Sequence, residues 1–250
     1  MKDKGGKEMD KCYRYYKEDD RILRCFCERD EDPQDPIGEE FMLSTMLIWW
    51  NRYSLGNENA YDSPEDFLFS VLEEYSDDDL IGYAKRQGVT SLDYDDPSGC
   101  FSAKDAVDFL QEHDYAIFPL YIYEHSGITI HMGRFGERPG YPFSDRFDAG
   151  FAGFVFVKKD EYLQKTGLEK DGWRENAEKC MQSEVELYDM YLQGNVYGLV
   201  VEEMENDGEW YERESVWGYF SDNFGDDLVS EIAADHVGRT YLTIEDAVTA

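Results

Sequence analysis

The sequence predicts an α+β fold: a mixed, mostly antiparallel sheet with several packed helices and one long helix near 172–193. Three observations lead to this prediction. Apolar residues form 42% of the 250-residue chain and aromatic residues 16%, which is enough to bury a sizeable core. Strand-like and helix-like patterns are mixed, without the regular strand–helix–strand alternation of a doubly wound sheet. Apolar side chains recur close to every 3.6 positions in the predicted long helix.

The first third of the chain begins with a hairpin pattern. Strand-like runs at 13–16 and 22–27 flank an acidic turn. The continuous apolar run 41–50 predicts a buried central strand.

Three helix starts or stops follow from capping chemistry. Ser63 followed by Pro64 predicts a helix start, because serine caps the free N–H groups and proline fits the first turn. A second helix is expected at 78–86 and ends at Gly88, and a third begins at Ser102.

The second half of the chain continues the mixed pattern. The apolar stripe of the long helix consists of Trp173, Ala177, Met181, Val185, Tyr188 and Leu192. Gly194 follows it in the position that commonly ends a helix. The remaining elements are strands at 115–123, 128–132, 151–157, 196–204 and 209–219 and a last helix at 227–236. Asn-Asp-Gly at 206–208 predicts a hairpin between the last two strands.

No internal repeat or low-complexity linker divides the chain. We therefore expect a flexible N-terminus at 1–10 and a single α+β domain over 11–250. A subdivision into 11–113 and 114–250 is compatible with the order of the elements.

The charge of the chain is its most unusual property. It has 56 acidic and 24 basic residues, a net charge of -32. This excludes a conventional basic nucleic-acid-binding protein and disfavours an anionic membrane as a partner. B-DNA carries one charge per about 1.7 Å, so 32 charges correspond to about 54 Å of duplex, close to the ~45 Å diameter of such a domain. Two interpretations stay open: a solvated acidic surface, as in an acidic proteome or salty cytoplasm, and imitation of nucleic acid.

The five cysteines fit neither a disulfide framework nor a zinc site. Their number is odd and their spacing is irregular. No apolar run reaches the roughly 18 residues that span a bilayer, and the first residues lack the apolar core of a signal peptide. We therefore expect a cytoplasmic protein.

Several segments resemble an uncharacterised family of proteins encoded by phages, prophages and conjugative elements. They are 52–56 (RYSLG), 63–67 (SPEDF), 119–129 (PLYIYEHSGIT), 142–154 (PFSDRFDAGFAGF), 184–198 (EVELYDMYLQGNVYG) and 214–219 (ESVWGY). They occur in the order of the family. The resemblance implies a mobile-element setting, with the cytoplasm of a bacterial host cell as the location, and the family has no assigned biochemical activity.

The sequence departs from the family pattern at two places. Trp50 and Asn51 stand where the family usually has a histidine, and Val216 stands where it usually has a cysteine. Chemistry that depends on those two side chains is therefore not expected of this chain.

The predicted turn at 123–127 and the loop at 144–148 are the best candidates for a catalytic site. His125, Ser126, Asp145 and Asp148 are residue types that hydrolases use. The strand–elbow–helix context of a nucleophilic serine is missing and no oxyanion hole is visible. A structural role, in which Ser126 and Asp145 cap turns and His125 bonds to the backbone, is the more attractive interpretation. With His131 they also offer metal-ligand types, but no compact ligand motif is present, so no metal or other cofactor is predicted. The Gly-rich segment 133–140 with two arginines lacks the features of a phosphate-binding loop.

The acidic hairpin is the best candidate for a partner-binding surface. The candidate residues are Glu202, Glu203, Glu205, Asp207, Glu209, Glu212 and Glu214, together with Asp77, Asp78 and Asp79. The alternatives are a solvated strand edge for the first set and a helix N-terminus for the second.

Charge and setting together favour a non-enzymatic anti-defence protein of the anti-CRISPR or antirestriction type. Such a protein would bind a basic DNA- or RNA-handling host protein, such as a nuclease or CRISPR effector, through a surface that resembles DNA. Direct nucleic-acid binding is not expected. The alternative is a small-ligand- or metal-binding enzyme that uses His125, Asp145 and Asp148.

Overall fold

The computed structural model describes residues 13–18, 20–50, 52–89, 92–168, 171–223 and 226–237. In chain order, the strands are β1 (Arg14–Glu18), β2 (Arg21–Arg29), β3 (Thr45–Ile48), β4 (Tyr115–Glu124), β5 (Ile128–Met132), β6 (Ala149–Lys158), β7 (Val196–Met204) and β8 (Trp210–Phe220). The helices are α1 (Pro64–Leu72), α2 (Asp77–Gln87), α3 (Ala103–Glu112), α4 (Lys159–Thr166), α5 (Trp173–Leu192) and α6 (Asp226–Val237), and a short 3-10 helix spans Ser98–Cys100.

The chain divides into two compact units. The terminal unit consists of residues 1–35 and 190–250, and the central unit consists of residues 36–189. Their bounds differ from the segments 11–113 and 114–250 considered above. The predicted flexible segment 1–10 lies outside the described residues.

The terminal unit contains a four-stranded antiparallel sheet in the order β1-β2-β7-β8. One face of this sheet packs against α6, because alternate residues of β2 and β7 are apolar on that face. Cys25 and Cys27 both lie on it, as their alternation indicates. Burial raises the pKa of Cys25 to about 11 and that of Cys27 to about 12. Both therefore remain thiols at neutral pH and are weak nucleophiles.

The central unit contains a second four-stranded antiparallel sheet, in the order β3-β6-β4-β5. Its core joins this sheet to α1, α2 and α3 through aromatic contacts. Phe67 of α1, for example, packs on Phe156 of β6 with ring centroids 4.9 Å apart, and Tyr83 of α2 meets the edge of Phe109 of α3 at 5.3 Å. Such contacts contribute beyond the area that they bury.

The α+β class and the mostly antiparallel pairing are confirmed. Helix caps follow the predicted chemistry: Ser63 accepts a hydrogen bond from the N–H of Asp66, and Ser102 forms a capping box with Asp105. Gly88 and Gly194 end their helices with positive φ angles of 76° and 69°. The long helix runs from Trp173 to Leu192, as the stripe predicts.

Three expectations of the sequence need correction. The strands form two sheets rather than one, because β1, β2, β7 and β8 pair only with one another. The run 41–50 contributes only the four-residue strand β3, which is buried but lies at the edge of its sheet rather than in the centre. Helix α4 was not expected, because Tyr162 is its only fully buried side chain and its apolar pattern is weak.

Candidate functional site

One face of helix α5 holds three other segments of the central unit in place. Glu184 is only 8% exposed and accepts hydrogen bonds from the N–H groups of Leu43 (2.6 Å) and Ser44 (3.0 Å) and from the Ser44 hydroxyl. The Tyr188 hydroxyl accepts from the Gly56 N–H at 2.9 Å. Asp189 accepts from the N–H of Ile130 at 2.7 Å. The three side chains therefore accept hydrogen bonds from backbone N–H groups of three other segments.

The backbone conformation of Gly56 and its close approach to β3 explain why the segment 52–56 has a glycine at this position. Gly56 has a φ of +73°, and a Cβ there would lie 2.4 Å from the carbonyl oxygen of Met46. A larger residue would force this turn away from β3. The turn places Trp50 and Tyr53 opposite each other, with the Tyr53 N–H donating to the Trp50 carbonyl at 3.1 Å.

The carboxylate of Glu124, at the end of β4, contacts three side chains of this turn. Its Oε2 accepts from the Trp50 indole N–H at 2.8 Å. Its Oε1 lies 3.4 Å from both the Arg52 guanidinium and the Tyr53 hydroxyl. A cavity of about 430 Å³ opens beside it. The cavity is lined by Trp49, Trp50, Arg52, Glu124, Phe147, Asp148 and Phe151.

His125 and Asp148, two of the candidate catalytic residues, lie together at this edge of the sheet. His125 Nδ1 is 3.0 Å from Asp148 Oδ2, and Tyr123 stacks on the imidazole at 6.0 Å. The N–H of Glu124 donates to the Asp148 carbonyl at 2.7 Å, so the backbone also joins the two loops.

Asp145 shapes the loop rather than meeting the imidazole in a hydrogen bond. Its Oδ1 accepts from the N–H groups of Phe147 (2.8 Å) and Asp148 (3.0 Å). These bonds lower the pKa of Asp145, and the nearby His125 lowers it further. Ser126 lies at the tip of the adjoining turn with a left-handed φ of 62°. The arrangement is thus a His–Asp pair on two tight turns.

His131 belongs to a different cavity. It lies on β5, stacks on Phe143 at 5.0 Å, and lines a cavity of about 380 Å³ with the Gly-rich loop. Burial lowers the pKa of His131, and Glu186 opposes that shift. The loop arginines are engaged within the protein, Arg134 with Glu178 and Arg138 with the Ser144 carbonyl. Across the described ranges, no group of three or more His, Cys, Asp or Glu residues is placed to hold a metal ion.

The acidic hairpin formed by β7 and β8 carries two kinds of carboxylate. Glu202 and Glu203 are partly buried and paired: Glu202 lies 2.5 Å from Arg24, and Glu203 lies 3.4 Å from Arg213. The other members are exposed at the turn and on the edge strand β8. These are Glu205, Asp207, Glu209, Glu212 and Glu214.

The strand register places like charges opposite each other. Glu202 is paired with Glu212 across β7 and β8. Directly opposed like charges are destabilising. Arg24 offsets part of this repulsion, held between the Tyr13 and Trp210 rings at 4.4 and 4.3 Å.

Asp77, Asp78 and Asp79 lie in the central unit and form the first turn of α2. All three are exposed, and Ser76 caps the helix by accepting from the N–H of Asp79. Carboxylates in this position interact favourably with the helix dipole. Their placement accordingly has a structural reason of its own.

Two of the family-like segments meet in the terminal unit. Gly198 lies under the Trp217 ring, and a Cβ at position 198 would lie 2.2 Å from that ring. The glycine therefore makes room for a partly exposed tryptophan on the edge strand. Trp217 lines a cavity of about 460 Å³ with residues 28–32.

Sequence reasoning missed the residues that complete the Glu124 cavity. Glu124 precedes His125 in the chain, but Trp50, Arg52 and Phe147 reach the same place only through the pairing of β3, β6 and β4. Arg52, two positions after a tryptophan pair, and Phe147, between two aspartates, are weak sequence signals for a binding site.

Searches of protein-family models, curated proteins and solved structures found no match to this chain. Among the residues that the structure describes, no helix is both long and apolar enough to cross a membrane.

Proposed function

We propose that this chain is an accessory protein of a phage or other mobile element that binds a basic DNA-handling protein of the bacterial host through the β7–β8 hairpin. The observation that supports the proposal is the set of five exposed carboxylates at the turn of the hairpin and on its edge strand β8. Across 202–214, Arg213 is the one basic residue in the sequence, and it contacts Glu18 and Glu203. The hairpin therefore presents a strongly negative surface.

The energetics of the hairpin support a role in binding. Glu202 is paired with Arg24, but Glu212 opposite it adds a like charge that lowers the stability of the hairpin. A surface of this charge attracts arginine- and lysine-rich clefts, and the attraction falls as ionic strength rises. A cleft that normally holds nucleic-acid phosphates is the kind of partner that fits. An anti-defence role, against a restriction or CRISPR effector, agrees with the mobile-element resemblance.

The test compares two matched variants in a pull-down from a bacterial host lysate, with salt elution and mass spectrometry. One variant replaces the five exposed hairpin acids with Gln or Asn. The other replaces five exposed acids of the central unit: Glu40, Glu58, Asp62, Glu73 and Asp95. We expect one basic DNA-handling protein to bind the native chain and the second variant, but not the first.

Binding of the identified partner is then measured with purified proteins. We expect its association rate to fall about tenfold or more between low and physiological ionic strength. Equal loss of binding in both variants, or capture that does not depend on salt, would refute the hairpin as the interface.

A second candidate function rests on the His125–Asp148 pair. A carboxylate that holds Nδ1 of an imidazole leaves Nε2 as a proton acceptor, the arrangement of a general base. This supports a small-ligand enzyme with Asp145 shaping the loop. Hydrolysis of ester and phosphodiester substrates by the native chain, absent in His125→Ala, would support it; equal rates in both proteins would exclude it.

A further inference from the structure

We propose that the cavity beside Glu124 binds one guanidinium group, the side chain of an arginine residue on the basic partner. This inference rests on the proposed function for the identity of the partner, but the cavity can be tested without that partner. Its lining joins the two kinds of group that recognise arginine. Trp50, Phe147 and Phe151 supply aromatic rings, and Glu124 and Asp148 supply carboxylates.

The chemistry of guanidinium matches this combination. The group is planar and always charged, stacks on aromatic rings and donates parallel hydrogen bonds to carboxylates. In this cavity the Trp50 indole N–H donates to Glu124 at 2.8 Å, which fixes the ring next to the carboxylate. A ligand therefore meets both groups at once.

Arg52 of the chain itself indicates where such a group fits. Its guanidinium lies 3.4 Å from Glu124, and its side chain is 78% exposed. A long, exposed contact of this kind contributes little to stability and is easily exchanged. A guanidinium can thus reach Glu124 from solvent, and an incoming arginine would compete with Arg52.

Phe147 is the open wall of the cavity. Its residue is 94% exposed, although the Asp145 turn holds the backbone on both sides of it. An aromatic ring that is fixed at its base and exposed at its face is suited to stack on a ligand. The net charge of -32 also favours a cation over an anion at this site.

The experiment titrates the full chain with Nα-acetyl-arginine methylamide and follows the Trp50 indole N–H signal by NMR. The signal is assigned from its absence in Trp50→Phe. We expect a saturable shift, and about tenfold weaker binding of the neutral citrulline analogue, because the charge-assisted hydrogen bonds are lost. No saturable shift, or equal binding of the two probes, would overturn the proposal.

Three variants locate the site. Glu124→Gln should weaken arginine binding about tenfold, and Phe147→Ala about threefold. Phe147→Ala changes only an exposed ring and so guards against a folding defect in the first variant. The matched control is Phe41→Ala, an exposed phenylalanine of the same unit that does not line the cavity; it should bind normally. Equal weakening in Phe41→Ala would overturn the proposal.

The Arg52→Ala variant tests whether the cavity binds cations or anions. If the site binds cations, this variant binds arginine as well as the native chain or better, because a competitor is removed. If it binds anions, inorganic phosphate shifts the Trp50 signal and Arg52→Ala abolishes that shift, which would overturn the proposal.

Failure of the arginine titration while the hairpin-dependent partner is still captured would remove this inference and leave the proposed function in place. Arginine binding to the cavity without capture of a hairpin-dependent partner would keep the cavity as a guanidinium site and remove the proposed function.

Discussion

Helix α5 and the β7–β8 hairpin are both rich in acidic residues, but two carboxylates of α5 contact backbone N–H groups, whereas most carboxylates of the hairpin face solvent. On α5, Glu184 and Asp189 accept hydrogen bonds from the backbone of other segments. On the hairpin, the five exposed carboxylates face solvent, and Glu202 lies across from Glu212. Carboxylates are thus internal acceptors at these two positions of α5 and surface charges at the five exposed positions of the hairpin.

The difference shows that the surroundings decide what a carboxylate contributes. A buried carboxylate with several donors stabilises the fold, because its removal leaves those donors without an acceptor. Exposed carboxylates on the hairpin accept local hydrogen bonds at most, as Asp207 does from the Glu209 N–H and Glu212 from the Ser215 hydroxyl. They repel one another and contribute charge to the surface. Neutralising an acid should therefore have opposite consequences in the two regions, which the following three changes test.

The largest effect is expected at Glu184. Glu184→Ala removes the acceptor for Leu43 and Ser44 and should lower the free energy of unfolding by about 3 kcal/mol. Glu186→Ala, two residues further on the same helix and exposed, should change it by less than about 0.5 kcal/mol. Urea unfolding measures both. Similar losses in the two variants would contradict the special role of Glu184.

A smaller effect is expected at Asp189. Asp189→Ala leaves the Ile130 N–H without its acceptor and should lower the free energy of unfolding by about 1–2 kcal/mol. Asp189→Asn keeps an oxygen in the same place and should recover most of the loss. Thermal unfolding of the three proteins is the measurement; an Asn variant as unstable as the Ala variant would show that the negative charge, not the acceptor, matters.

The smallest effect, of opposite sign, is expected on the hairpin. Glu212→Gln relieves its repulsion with Glu202 and should leave stability unchanged or raise it by up to about 0.5 kcal/mol at low salt. The gain should vanish at high salt, where exposed charges are screened. Urea unfolding at two ionic strengths tests this. A clear loss of stability would mean that the hairpin acids are structural after all.

Local chemistry made much of the fold predictable. The Ser63 and Ser102 caps and the Gly88 and Gly194 helix ends depend on residues close in sequence and were found as expected. The stripe of α5 is buried from Trp173 to Tyr188, and its last member, Leu192, is only partly buried. The division into two sheets was not predictable, because β2 pairs with β7 across about 170 intervening residues and strand patterns do not specify their partners.

The candidate site was predictable only in part. His125 and Asp148 were singled out by residue type, and the fold brings them within 3.0 Å. Phe147 lies within the predicted loop 144–148 but was not singled out there, because an exposed aromatic residue looks the same in sequence as a buried one. Helix α4 was missed for a related reason, although its acidic first turn, Lys165 and Gly167 are typical helix-end signals.

The sequence by itself determined the charge, the α+β class and the ends of most helices. These depend on composition and on interactions within one or two turns of chain. Only the tertiary structure decided which carboxylates are buried acceptors, which strand lies at an edge, and which side chains share the Glu124 cavity. Each of these depends on backbone donors and surfaces that meet through long-range strand pairing, and no local pattern specifies that pairing.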